Sequence, residues 1–118
     1  MKHAKITVAD GAAGDVIVAV KANARVAIYG VVITTSAPQS PRLENTADGT
    51  EITTFRITAL GAGIFIMPLG PALWQSKVGS GVQVDTATVD AAAVGITEID
   101  IWFDYIDEDI DLDAGIGN

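Results

Sequence analysis

Few residues in this 118-residue chain are of the types that do chemistry, and their spacing argues against most of it. His3 is the only histidine. A catalytic dyad or triad needs an imidazole held rigidly beside its nucleophile, so a histidine this near the first residue reads as a solvated one. Ser36, Ser40, Ser76 and Ser80 have no credible base, and Gly79-Ser80-Gly81 lacks the G-x-S-x-G spacing of a nucleophile elbow. Gly61-Ala62-Gly63 and Gly115-Ile116-Gly117 lack the third glycine and the βαβ setting of a dinucleotide site. There are no cysteines, which removes thiol chemistry, disulfides and zinc–thiolate sites. Asp109, Asp111 and Asp113 have the D-x-D-x-D spacing that begins a calcium loop. The glycine falls one place late, at Gly115, and no bidentate glutamate follows. The expectation is a protein that is not an enzyme and carries no cofactor and no metal.

What remains is binding. Trp102 stands between Asp100 and Asp104, an arrangement suited to stacking on a sugar ring or to anchoring a protein interface, where tryptophan is favoured. Interface is the preferred reading for Trp102, and a lid over the core for Trp74. The residues after Trp102 interleave acids with aliphatics: Ile110, Leu112 and Ile116 alternate with a run of aspartates. An extended arm of that kind can lay its apolar side on a neighbouring subunit by strand addition, and Lys2, His3 and Lys5 offer the opposite charge for an N- to C-terminal pairing within or between subunits.

These residues need strands to position them. From Val94 to Ile106 the side chains alternate. Ile99, Ile101, Phe103 and Tyr105 form an apolar face, and Glu98, Asp100, Trp102 and Asp104 an outward one, the period of a half-buried strand. Lys2–Ala9 reads as a short edge strand or an arm. Asp15–Ala22 is a strand with Val16, Val18 and Val20 on one face, and Ala22-Asn23-Ala24 a tight connection. Arg25–Thr35 is a long strand. Neither of these two strands alternates, and a strand apolar on both faces is either a central strand covered by a loop or one covered by a neighbouring subunit; oligomerisation through these strands is the preferred expectation. Ser36–Gly49 reads as one long loop broken by Pro38 and Pro41. Thr50–Ala59, Ile64–Met67 and Val82–Val89 are further strands, and Pro71–Lys77 a single helical turn. The expected fold is all-β: an antiparallel β-sandwich, jelly-roll-like, of six to eight short strands. Residues 1–106 make one domain and residues 107–118 an acidic C-terminal tail.

Hydrophobic residues make up 49% of the chain, more than a small domain hides easily by itself. Residues 1–97 hold seven acids and all seven bases and so balance. The eight acids from Glu98 to Asp113 supply the whole net charge of −8. A neutral body with an acidic end repels phosphate backbones, which argues against nucleic acid. No apolar run approaches the roughly 20 residues of a membrane span. The N-terminal region reads as mature rather than as a signal peptide, since Asp10 and Asp15 interrupt it.

The order of elements resembles a known group. Tyr29-Gly30-Val31-Val32-Ile33-Thr34 is followed by a hairpin through Gly61-Ala62-Gly63 into Ile64-Phe65-Ile66-Met67-Pro68, a turn with Trp74, the strand Val82-Gln83-Val84 and an acidic–aromatic closing strand. Over Arg25–Ile106 this resembles small structural proteins of tailed bacteriophages that decorate or cement capsids. The long Pro-rich N-terminal arm of some decoration proteins is missing. The resemblance implies a virion protein on the capsid surface, assembled in the host cytoplasm. It implies a homo-oligomer, a trimer for preference, bound to the major capsid protein or another virion protein. The interface residues expected are Val26, Ile28, Val31, Ile33, Arg42, Trp102, Ile110 and Leu112. A carbohydrate-binding or adhesin-like module built on Trp102 is the alternative.

Overall fold

The computed structural model describes residues 1–9, 13–36, 39–57, 63–86 and 95–107. Among them are nine strands and no helix: β1 (Lys2–Ala9), β2 (Ala13–Val18), β3 (Ala24–Thr35), β4 (Arg42–Asn45), β5 (Glu51–Thr54), β6 (Gly63–Ile66), β7 (Trp74–Gln75), β8 (Val82–Asp85) and β9 (Ile96–Asp107). They form two antiparallel sheets. One has the order β1-β9-β3-β6, with β7 also pairing with β3; the other has the order β2-β8-β4-β5. With the two-residue β7 set aside, the eight remaining strands lie in the double-sheet order of a jelly roll. The fold is thus the expected all-β sandwich. Its core lies between the sheets, where Val26, Ile28, Val31, Ile33, Ile99, Ile101 and Phe103 of the larger sheet meet Val18, Leu43, Val82 and Val84 of the smaller.

The closing strand β9 behaves as its alternation requires. Thr97, Ile99, Ile101 and Phe103 are buried, while Asp100, Trp102 and Asp104 stand half-exposed on the outer face. It is not an edge strand. It runs between β1 and β3, with Lys2 opposite Phe103 and Ala9 opposite Ile96 on one side, and Ala24 opposite Asp107 and Thr35 opposite Thr97 on the other.

The missing alternation of β3 has a cause within the chain. Ile28 pairs with Phe103 and Gly30 with Trp102, which leaves Tyr29 as an extra residue. A bulge of this kind shifts the side-chain phase by one. Before it Val26 and Ile28 face the core; after it Val31 and Ile33 do. These four side chains are wholly buried within a single chain, so they offer no surface to a second subunit. The expectation that they form an interface is corrected by their place in the core. Each contributes about 1.5–3 kcal/mol by burial.

A second bulge explains β2. Val16 pairs with Gln83 and Val18 with Val82, leaving Ile17 extra. Val18 turns inward and Val16 stays 54% exposed, so the two valines do not share a face as the sequence suggested. The connection to β3 turns at Asn23, whose φ of 59° is the left-handed conformation expected there.

Two short segments differ from expectation. The Pro-containing loop holds β4, and the stretch around Trp74 is extended rather than helical, pairing Ala27 with Gln75 and Ile28 with Trp74. A polar node fixes that stretch. Ser76 donates its backbone N–H to Val26 O (2.9 Å), and its hydroxyl accepts from Val26 N (2.8 Å). Lys77 N donates to Asn45 Oδ1 (2.7 Å) and Gly81 N to Thr46 Oγ1 (2.9 Å). The edge of β3 is thereby covered where β6 does not reach. Gly30 allows β6 to come this close, since a Cβ there would lie 2.8 Å from Pro68 N and 2.9 Å from Ile66 O.

Candidate interaction surfaces

The outer face of the larger sheet has two different halves. Across β1 and β9 it is polar. The register sets His3 opposite Trp102, Lys5 opposite Asp100 and Thr7 opposite Glu98. His3 Nε2 lies 2.8 Å from Asp100 Oδ1. Its ring packs on Trp102 with centroids 4.9 Å apart and planes tilted by 39°. The Met1 amino group lies 3.7 Å from Asp104 Oδ1. His3 is therefore not a loose terminal residue, but an imidazole with a carboxylate on one side and an indole on the other.

Across β3 and β6 the same face is apolar. Val32 pairs with Phe65, and Phe65 is 70% exposed. Just beyond β6, Met67 and Leu69 are 46% and 87% exposed, and Leu73 is 47% exposed. β6 is also the last strand of its sheet. Pro68 can offer no N–H to a further strand, so this edge presents side chains more than backbone. The sequence reading passed over these residues. Its signal was the run Ile64–Leu69, apolar at nearly every position and interrupted only by a proline.

The remaining expected contacts divide. Arg42 lies on β4 with its Nε 3.0 Å from Glu44 Oε2, at ion-pair distance, and donates from Nη2 to Gly49 O (3.3 Å). Gln83 Nε2 donates to Glu44 Oε1 (2.9 Å). Arg42 thus ties the β4–β5 hairpin to its own sheet. Trp102 is exposed in part, with His3 against it. Asp100 and Asp104, which a sugar would need, already face His3 and the Met1 amino group. Ile110 and Leu112 lie outside the described residues, as do Asp109, Asp111 and Asp113.

An open depression of about 340 Å³ is lined by Thr34, Thr35, Ser36, Ile96 and Glu98. One carboxylate among hydroxyls and an isoleucine does not assemble an acid–base pair. Among the described residues no group of three or more histidines and acids could hold a metal, and no helix is long and apolar enough to cross a membrane. No protein family, curated protein or solved structure matches the chain.

Proposed function

We propose that this protein is a non-catalytic structural subunit of a virion, a decoration or stabilising protein that works in many copies on a capsid. The observation that carries the reading is the apolar strip along β6 and the segment after it. Phe65, Met67, Leu69 and Leu73 stand open to solvent beside a core that is complete without them. Such a strip on a small domain marks a protein contact. Each copy contributes little alone, and many copies on one lattice bind together through multivalency. The jelly-roll order agrees with this, since that architecture recurs in capsid proteins. It also recurs in lectins, so the fold supports the reading only by analogy.

The test is twofold. Electron microscopy of particles from the source should show this chain at repeating positions on the shell. Purified protein with Phe65→Ser and Leu69→Ser should sediment with those particles at least about tenfold less well, while its melting temperature changes little, because neither side chain is buried. Particles that lack the chain, or unchanged sedimentation of the double variant, would refute the proposal.

A further inference from the structure

The other free edge of the larger sheet is β1, and its two faces carry a pattern. On the outer face His3, Lys5 and Thr7 are exposed; on the inner face Ala4 and Ile6 are half-buried against the core. Among the described residues no strand pairs with the far side of β1. An edge strand of eight residues whose far-side backbone groups meet no described strand is a template for another strand. The best complement to it in the sequence is the chain's own stretch Asp109-Ile110-Asp111-Leu112-Asp113. In an extended strand its aspartates fall on one side and Ile110 and Leu112 on the other. Laid against β1, the acids meet His3 and Lys5, and the aliphatics extend the apolar layer begun by Ala4 and Ile6. Opposite charges and apolar pairs across neighbouring strands both favour that alignment.

The geometry also says whose strand it is. β9 continues through Asp104–Asp107 beyond the level of Lys2, its last partner on β1. At about 3.3 Å per residue that overshoot is roughly 13 Å. A chain reversing at once would spend residues 108–111 returning to the level of Lys2, and more in stepping across β1. The alternating stretch would be used up before it reached Ala4 and Ile6. We infer that β1 of one copy accepts residues 109–113 of a second copy as an added strand, so that subunits are linked by donated C-terminal segments. The inference rests on the multi-copy reading above, since a strand given to another chain requires another chain.

Sizing by light scattering of the full chain against a version ending at Asp107 tests it. The full chain should be oligomeric and the shortened one monomeric with unchanged circular dichroism. In the full chain, Lys5→Glu should weaken association by about fivefold, replacing an attractive cross-strand pair with a repulsive one. The absence of native cysteine allows a direct check that survives poor folding of the shortened form. An oxidised mixture of Lys5→Cys and Asp111→Cys chains should give a disulfide-linked pair at twice the chain mass, and a mixture of Val16→Cys and Asp111→Cys should not. An oligomer unaffected by removal of 108–118 would overturn strand donation and leave the multi-copy reading standing. A full chain that stays monomeric at all concentrations would overturn strand donation, whereas the multi-copy reading is overturned by particles that lack the chain. A disulfide formed within one chain carrying both Lys5→Cys and Asp111→Cys would place the strand in its own subunit and overturn donation.

Discussion

Asp48 shows what a single turn can do to an acid. Lys77 Nζ lies 2.7 Å from Asp48 Oδ2, and Thr50 donates to Oδ1 from its hydroxyl (2.7 Å) and its backbone N–H (3.0 Å). The Lys77 ammonium first, and the Thr50 donors after it, hold the carboxyl down from 3.8 to about 2. All three favour the charged form. Because the folded value is the lower one, the stabilisation is complete above about pH 4. It is lost as the pH falls toward 2, where the folded carboxylate also takes up its proton. In Lys77→Ala the Asp48 carboxyl should titrate closer to 3.8, read by carbon NMR of the side chain, and the stability gained between pH 2 and 4 should shrink. The pair also joins the β4–β5 hairpin to the segment after β7. Nothing in the spacing of Asp48 and Lys77 announces that contact. Asp48-Gly49 is legible as a turn, but the partner of the aspartate is set by the tertiary fold.

At the scale of the strand, legibility depends on phase. β9 was readable because its twelve residues keep one period throughout. β3 shows no single period because Tyr29 breaks it in the middle, passing the core side from Val26 and Ile28 to Val31 and Ile33. The isolated Gly30 was the available sign, since a glycine inside a strand pattern marks a bulge or a close approach; here it sits at both. β4 was missed because four residues between prolines and a turn are too few to show a period. The bulge also makes an uneven map of tolerance to deletion. Removing Tyr29 leaves Val26, Ile28, Val31 and Ile33 on the core side and the pairing with β9 intact, so it should cost roughly 1–3 kcal/mol. Removing Ala27 turns Val26 to the outer face and should cost more than about 4 kcal/mol. Urea unfolding of the two deletion variants distinguishes these outcomes.

For the whole molecule, composition foretold the class and not the surface. The all-β sandwich was legible from strand patterns and turns. The excess of hydrophobic residues was legible too, but its location was not. The long apolar strand went to the chain's own core, and the exposed apolar material lies at Phe65, Met67, Leu69 and Leu73. That division follows from pairing: β3 is flanked by β9 on one side and by β6 and β7 on the other, whereas β6 ends its sheet. Among the described pairings only β4 with β5 joins consecutive strands of the main sheets; the rest close over long stretches of chain. Such a topology places refolding among the slower small domains, on the millisecond-to-second scale.

The central position of β9 has a consequence for how the protein is made. The ribosome releases β1 first and β9, at residues 96–107, last among the described strands. Until β9 emerges, β1 has no partner in its sheet and β3 lacks its longest one. At 5–20 residues per second the nascent chain waits on the order of five to twenty seconds in that state. Its apolar strands are exposed throughout, and the larger sheet closes only when its middle is inserted. Translation arrested before Ile96 should therefore leave β1 and β3 protease-sensitive and chaperone-bound, and arrest with β9 fully outside the ribosome should protect both. Limited proteolysis of stalled chains measures the difference. A chain truncated before Ile96 lacks the middle strand of the larger sheet and so cannot reach the fold of the longer product.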